Sequence, residues 1–259
     1  MGTRSFLRRW NGAPPSGAAT VAQPDDGIVF HDVEAERGGR VALALPALSL
    51  TERRIALIGD NGSGKSTLLR LANGLLQPSR GRVTVAGLDT VAQRRELPGV
   101  AGFIFQNPDH QLIFPTVGEE VAFGLTERGM APAEARRQAL ALLARHGCDG
   151  WAERNVNDLS GGQRQLVCVL AVLATDPAVL LMDEPFSSLD LPTQLALARR
   201  IMALPQQIVM ATHDLDLVAD FERVIWLEAG RVRADGRPAD LLPAYRAHAI
   251  AAAQDAMSA

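Results

Sequence analysis

The sequence predicts an α/β fold built around a glycine-rich loop that joins a buried strand to a helix. Three observations predict it. Arg54-Ile55-Ala56-Leu57-Ile58 is a short apolar segment of the kind a buried strand supplies. Gly59-Asp60-Asn61-Gly62-Ser63-Gly64-Lys65-Ser66-Thr67 follows with the spacing G-x-x-x-x-G-K-[ST], and Thr67-Leu68-Leu69-Arg70-Leu71-Ala72 continues as a helix. Further on, strand-like apolar runs alternate with helical stretches, the pattern of a largely parallel sheet with short crossovers.

The loop has a direct chemical meaning. Its glycines let successive backbone N–H groups turn into one concavity, and the helix N-terminus adds partial positive charge there. Gly59, Asn61, Gly62, Ser63, Gly64, Lys65, Ser66 and Thr67 are the candidate phosphate-binding residues. Lys65 reaches the β- and γ-phosphates of a nucleotide, and the Ser66 hydroxyl holds Mg²⁺. A chance glycine-rich turn with a surface lysine would lack the flanking strand and helix.

Taken in order, residues 1–26 read as a solvated tail. Arg4, Arg8 and Arg9 stand against Asp25, with no apolar core behind them to make a secretory signal. Phe6 stands where a myristoylation motif requires Ser or Thr. The folded part is expected from Gly27. Gly27–Val33 and Val41–Leu45 read as strands joined by a turn at Arg37-Gly38-Gly39. Gly81–Ala86 alternates as a half-buried strand does, and Val100–Phe105 suits a central strand that ends before Pro108. Pro132 opens a helix with Ala135, Ala139, Leu142 and Leu143 on one stripe, stopped by Gly147. Asp158-Leu159-Ser160-Gly161-Gly162-Gln163 begins another helix, mostly apolar at Leu166, Val169, Leu170 and Leu173 and ended by Asp176-Pro177. Ala178–Met182, Ile208–Ala211 and Val224–Leu227 are further strands, a hairpin is bounded by Gly230 and Gly236, and Pro243 onward reads as a loosely attached helix.

Composition excludes several classes. The chain has 259 residues, 47% hydrophobic and 21% charged, with net charge −3, so it offers no basic footprint for nucleic acid. No apolar run approaches the ~20 residues that cross a bilayer. Cys148 and Cys168 are too few for a disulfide framework and read as buried small hydrophobes.

Polar groups gather where strands end, the place an open α/β sheet holds its ligand. Asp183 is placed to hold Mg²⁺, Glu184 to accept a proton from attacking water, and His213 to hydrogen-bond a γ-phosphate. Gln106 is placed to bridge metal, water and a moving segment. Each alone has a plain structural explanation, since acid pairs at strand ends are often solvated and lone histidines are often structural. Their occurrence in this order is what carries weight.

With these residues in place, the sequence resembles the ATP-binding-cassette (ABC) ATPases. Gly59–Thr67, Gln106, Leu159-Ser160-Gly161-Gly162-Gln163, Leu180–Pro185, Ser187-Ser188-Leu189-Asp190 and His213 look like that family's Walker A, Q-loop, signature, Walker B, D-loop and H-loop. The resemblance covers about residues 27–240. It implies a P-loop NTPase fold of ABC type, with a RecA-like core, an antiparallel β subdomain and a helical signature subdomain at about residues 107–165. The ATPase domain then spans 27–243, and 244–259 is a short tail. It also implies a head-to-tail dimer, with itself or a paralogous ATPase, enclosing two ATP molecules with Mg²⁺. Each site would combine Lys65, Ser66, Gln106, Asp183, Glu184 and His213 of one chain with Ser160, Gly161, Gly162 and Gln163 of the other. The family places an aromatic residue before the P-loop to stack on adenine. The matching position here is Arg37, whose planar guanidinium can stack on a base.

The stretch Phe105-Gln106-Asn107-Pro108-Asp109-His110-Gln111-Leu112-Ile113-Phe114-Pro115-Thr116-Val117, continuing to Glu119-Glu120-Val121-Ala122-Phe123-Gly124, looks like energy-coupling-factor (ECF) vitamin and metal importers, the cobalt and nickel types included. That resemblance implies a groove for a helix of a transmembrane coupling subunit. Leu112, Ile113 and Phe114 would line an apolar notch, and Asp109, Glu119 and Glu120 would meet a partner arginine. It also implies a substrate-binding membrane subunit reached indirectly, and a peripheral position on the cytoplasmic face of the membrane. The short C-terminal tail and Phe123–Gly129 look more like the compact ATPase of the dedicated biotin importer. A soluble ABC ATPase acting on nucleic acid would show a coiled-coil insertion, a zinc hook or a second cassette, and a P-loop kinase would not need the signature.

Overall fold

A computed structural model describes residues 27–258; the expectations for residues 1–26 lie outside it. In chain order the elements are β1 (Ile28–Arg37), β2 (Arg40–Leu50), β3 (Arg54–Ile58), α1 (Lys65–Ala72), β4 (Arg80–Val85), β5 (Leu88–Asp89) and β6 (Ala101–Ile104). Then come α2 (Val117–Glu127), α3 (Pro132–Arg145), α4 (Gly161–Leu173), β7 (Val179–Asp183) and α5 (Leu191–Met202). The chain continues through β8 (Gln207–Ala211), β9 (Arg223–Glu228), β10 (Arg231–Gly236) and α6 (Pro238–Ser258). These fall into two compact units. One takes in Gly102–Ala178 and Pro185–Gln206, and the other holds the remaining described residues, including Val179–Glu184.

In the second of these units, β2-β1-β4-β5 form an antiparallel sheet. Ile28, Phe30, Val33 and Ala35 of β1 are buried, and a register shift between His31 and Glu34 carries the inward face past an irregularity at Asp32. Asp32 has φ 51°, and a Cβ on the facing Gly81 would lie 2.1 Å from the Asp32 carbonyl oxygen, so only glycine fits there. The same unit contains parallel pairs of β3 with β8 and β9, and of β7 with β8, with β10 antiparallel on β9. Ile55–Ile58, β7 and β8 are buried throughout. That explains their unbroken apolar sequences, because interior parallel strands are covered on both faces.

Helix α6 departs from expectation. It begins at Pro238 and runs through Pro243, and it is held to the sheet: Tyr245 meets the ring of Trp226 edge-on at 5.1 Å, and Leu242 is buried. An alanine-rich sequence with two prolines hides this, because only a few residues carry the contact.

The other unit is mainly helical. α2 opens with a capping box between Thr116 and Glu119. α3 buries Ala135, Ala139, Leu142 and Leu143, the stripe expected from spacing, and ends ahead of Gly147, which has φ 69°. α5 is capped by Asp190, whose carboxylate accepts the Thr193 N–H at 2.9 Å. Cys148 and Cys168 are both buried free thiols here. Burial pushes the Cys148 thiol up to about 12 and raises Cys168 as well, which leaves almost no thiolate at neutral pH. A thiol reagent at pH 7.5 should therefore label neither cysteine in the native protein and both after denaturation. Rapid native labelling of either, counted by mass spectrometry, would contradict this packing.

Candidate nucleotide site

The site is built where β3 ends. Gly59 leaves the strand at φ 141°, and a Cβ there would lie 2.1 Å from the Leu227 carbonyl oxygen, so the loop can turn only with glycine. Gly64 caps α1 at φ 109°. Lys65, the first residue of α1, is 5% exposed. Its Nζ donates to the carbonyl oxygens of Gly59 at 2.6 Å and Asp60 at 3.0 Å, so the ammonium closes the loop on itself. Burial lowers its pKa, while the carboxylates of Glu184, Asp183 and Asp60 oppose the shift. A phosphate offers that ammonium a fully charged acceptor in place of neutral carbonyls.

Sheet register then brings in the acids. β7 and β8 run parallel with Asp183 opposite Ala211, so Glu184 and His213 emerge from adjacent strand ends. Ser66 Oγ donates to Asp183 Oδ1 at 2.8 Å. Glu184 sits at φ 47°, a conformation a non-glycine residue seldom adopts, with its N–H donating to Ala211 O at 2.9 Å. Its Oε1 lies 2.9 Å from His213 Nε2. A left-handed residue costs about 1 kcal/mol or more and persists where its surroundings impose it. Here the backbone bond and the histidine do so, and they hold one carboxylate at one place.

The residues fit Mg²⁺ and nucleotide. The Ser66 hydroxyl and the Asp183 carboxylate are adjacent hard oxygen donors of the kind Mg²⁺ accepts along with substrate phosphates. Ser63 Oγ, folded inside the loop, is buried without a hydrogen-bond partner. Asn61 and Gly62 lie on the exposed side of the loop, and a Cβ on Gly62 would meet nothing within 4 Å. Thr67 lies within α1. Arg37 ends β1, exposed and paired with Arg40 across the Gly38-Gly39 turn.

Gln106 and the Ser160–Gln163 segment belong to the other unit. Gln106 Nε2 donates to Ser187 Oγ at 3.4 Å. Ser160 caps α4: its Oγ accepts the Gln163 N–H at 3.3 Å, and Gln163 Oε1 accepts the Ser160 N–H at 3.0 Å. The Gln163 side-chain oxygen is thus engaged in holding the helix start. The two glycines differ. A Cβ on Gly162 would lie 2.2 Å from Thr193 Cγ2 of α5, whereas one on Gly161 would meet nothing. Gly162 allows close helix packing, and Gly161 leaves its backbone open. Gln106, Asp109, Gly161, Arg164 and Ser187 line one cleft of about 390 Å³.

Two residues absent from the sequence-based set also bear on Gln106. Gln111 Oε1 accepts the Phe105 N–H at 3.3 Å, and Gln165 Nε2 donates to the Phe105 carbonyl at 3.4 Å. Gln111 Nε2 also donates to Cys168 O at 3.2 Å, so the residue before Gln106 is tied to α4 twice. The available signal was a glutamine at position 165 directly before the apolar run of residues 166–173, where the helix turns inward.

The expected partner surface needs a correction. Glu120 is 5% exposed, and its Oε2 accepts the N–H groups of Ile113 and Phe114, each at 2.9 Å. It holds the loop ahead of α2 and does not face outward. Glu119 is exposed but engaged in the cap, with Thr116 Oγ1 donating to its Oε2 at 2.6 Å. Asp109 faces Arg164 Nε at 3.4 Å. Ile113 is 67% exposed, Leu112 is half-buried, and Phe114 stacks obliquely on Phe123 at 4.9 Å. Of the three acids, Glu120 alone is turned into the fold, while Asp109 and Glu119 stay exposed in local pairings.

A strand, a glycine-turned loop, a lysine at a helix start and a hydroxyl beside a strand-end aspartate define a P-loop nucleotide-binding protein. Residues 48–187 match the family described as ABC transporter. The chain is 48% identical to the Biotin transport ATP-binding protein BioM of Rhodobacter capsulatus, over 84% of this chain and 93% of that one. Among solved structures it is similar to cbiO1 from Clostridium perfringens, described as part of the ABC transporter complex cbiONQ, with TM-score 0.73, 29% identity and coverage of 83% and 90%. It is also similar to the ATP-binding cassette MJ0796, a dimer in a post-hydrolysis state bound to ADP and Pi, with TM-score 0.71, 28% identity and coverage of 82% and 98%. The chain belongs to the ATPases of the ABC transporter family. No helix among the described residues is long and apolar enough to cross a membrane.

Proposed function

We propose that the chain is the ATP-hydrolysing motor of an ECF-type importer that takes up a vitamin, with biotin as the solute. The 48% identity to a biotin transport ATPase, over 84% of this chain and 93% of that one, is the observation that supports this most. The Phe105–Phe114 segment supports the ECF type. In this reading two copies, or this chain and a paralogue, face head to tail. Gly59–Thr67 of one chain grip the phosphates of ATP, and Ser160, Gly161, Gly162 and Gln163 at the α4 N-terminus of the other approach the γ-phosphate. Lys65 exchanges its carbonyl partners for the phosphates. Ser66 and Asp183 would hold Mg²⁺, which when bound offsets phosphate charge. Glu184 accepts a proton from attacking water, and His213 keeps that carboxylate aimed and donates toward the γ-phosphate. Arg37 is the candidate to stack on adenine. The domain itself is taken as residues 27–243, with α6 continuing past that bound against Trp226. A transmembrane coupling subunit docks over Leu112, Ile113 and Phe114 with Asp109 at the rim, so the ATPase works from the cytoplasmic face.

Uptake of labelled biotin should require this chain and the membrane proteins that co-purify with it, and it should cease when Lys65→Ala replaces the native chain. That substitution should also cut ATP hydrolysis by roughly a hundredfold or more, through lost phosphate contacts. A cobalt or nickel importer is the second reading, favoured by 36% identity, over 81% of this chain, to the Cobalt import ATP-binding protein CbiO of Syntrophus aciditrophicus. Metal uptake without biotin uptake in the same assay would select it.

A further inference from the structure

We infer that Tyr245 of the C-terminal helix α6 is a positioning residue for the phosphate-binding loop, acting by holding the side chain of Asp60. Tyr245 is 7% exposed, and its hydroxyl donates to Asp60 Oδ1 at 3.3 Å across 185 residues of sequence. Asp60 is the residue after the first glycine of the loop, and its backbone carbonyl is one of the two acceptors that hold the Lys65 ammonium. One residue therefore receives the α6 hydroxyl on its side chain and the loop lysine on its backbone.

Tyr245 is itself firmly placed. Its ring meets Trp226 of β9 edge-on at 5.1 Å, and the Arg233 guanidinium covers Trp226 at 4.2 Å from the ring centroid. His248, one turn further along α6, packs on Trp226 at 5.1 Å. Trp226 also lies opposite Ile58, the last residue of β3 before the loop, in the parallel pairing of β3 with β9. The aromatic cluster and the loop thus grow from the same two strand ends. A buried phenol needs a hydrogen-bond partner, and the one it finds is the loop aspartate.

The consequence is electrostatic as well as mechanical. Asp60 places a carboxylate beside a loop that must accept a polyanion. Bonded to Tyr245, that carboxylate is fixed on the α6 side. Released, it can turn toward the phosphates and the Lys65 ammonium, opposing nucleotide and competing for its cation. Bond and repulsion act on binding, so the effect falls on affinity for MgATP more than on the chemical step. This rests on the P-loop as the ATP site, and the experiment separates the two.

Tyr245→Phe keeps the ring, its Trp226 contact and the fold, and removes only the hydroxyl. Steady-state ATP hydrolysis and MgATP binding are measured on the full chain for native protein, Tyr245→Phe, Asp60→Ala, the double variant and Lys65→Ala, with thermal unfolding alongside. Tyr245→Phe should raise KM and Kd for MgATP by roughly three- to tenfold, the loss of one charge-accepting hydrogen bond, with kcat at saturation nearly kept. In the Asp60→Ala background the same change should move KM by less than about twofold, because the partner is already gone. An unchanged KM in Tyr245→Phe, or an equal rise with and without Asp60, overturns the inference. So does a fall in kcat at constant KM. If Lys65→Ala still binds MgATP normally, the P-loop assignment is what has failed; if only Tyr245→Phe is silent, only the brace has.

Discussion

Glu184→Gln should lower ATP turnover by roughly 10²- to 10⁴-fold while leaving MgATP binding close to native, the loss expected when a positioned general base is removed. The structure makes this substitution unusually clean. Gln keeps the size of the side chain, and its amide can still meet His213, which lies 2.9 Å from Glu184 Oε1. The backbone bond from Glu184 N–H to Ala211 O does not depend on the side chain, so the left-handed φ of 47° is retained. What is lost is the capacity to take a proton. If hydrolysis drives dimer opening, the variant should also accumulate as an ATP-bound dimer, visible by size-exclusion chromatography with light scattering. Turnover within about twofold of native would remove Glu184 from the chemistry and leave His213, its ring partner, as the group to test next.

The sequence carried the phosphate loop and the strand-end acids almost whole, for a physical reason. A loop that wraps phosphate needs glycine where a Cβ would collide, as Gly59 does with Leu227 O, and a lysine at a fixed spacing. A strand buried on both faces needs an unbroken apolar run, as in Val179–Asp183. Both constraints act on consecutive residues and leave a direct trace. Helix α5 left almost none. Its buried face is only Leu197, Ala198 and Ile201, while Leu191 and Leu195 are exposed, so its apolar pattern does not mark one side. The attachment of α6 was hidden too, because it depends on Tyr245 meeting Trp226 and Asp60, contacts between residues far apart in sequence. The same limit applied to Glu120. Side by side with Glu119 in a polar helix start, it is indistinguishable by type from a solvated acid, and only the fold turns it toward Ile113 and Phe114 N–H.

That difference between neighbours gives the second large effect. Glu120→Lys should destabilise the isolated chain by about 3 kcal/mol or more, because it leaves two backbone N–H groups without their shared acceptor and puts a cation in a buried position. Glu120→Gln should cost less, about 1 kcal/mol, since the amide oxygen can still accept while the charge is gone. Asp109→Lys, on an exposed side chain whose partner Arg164 is 3.4 Å away, should change stability by under about 1 kcal/mol. Denaturant unfolding of the chain alone reads all three. Equal stability of Glu120→Lys and the native protein would mean that the carboxylate is not engaged inside the fold, and the surface reading of Glu120 would return. The ordering also decides how membrane-partner experiments are interpreted. Loss of a membrane complex in Glu120→Lys follows from a damaged Ile113–Phe114 loop, whereas the same loss in Asp109→Lys with the fold intact points to the docking surface itself.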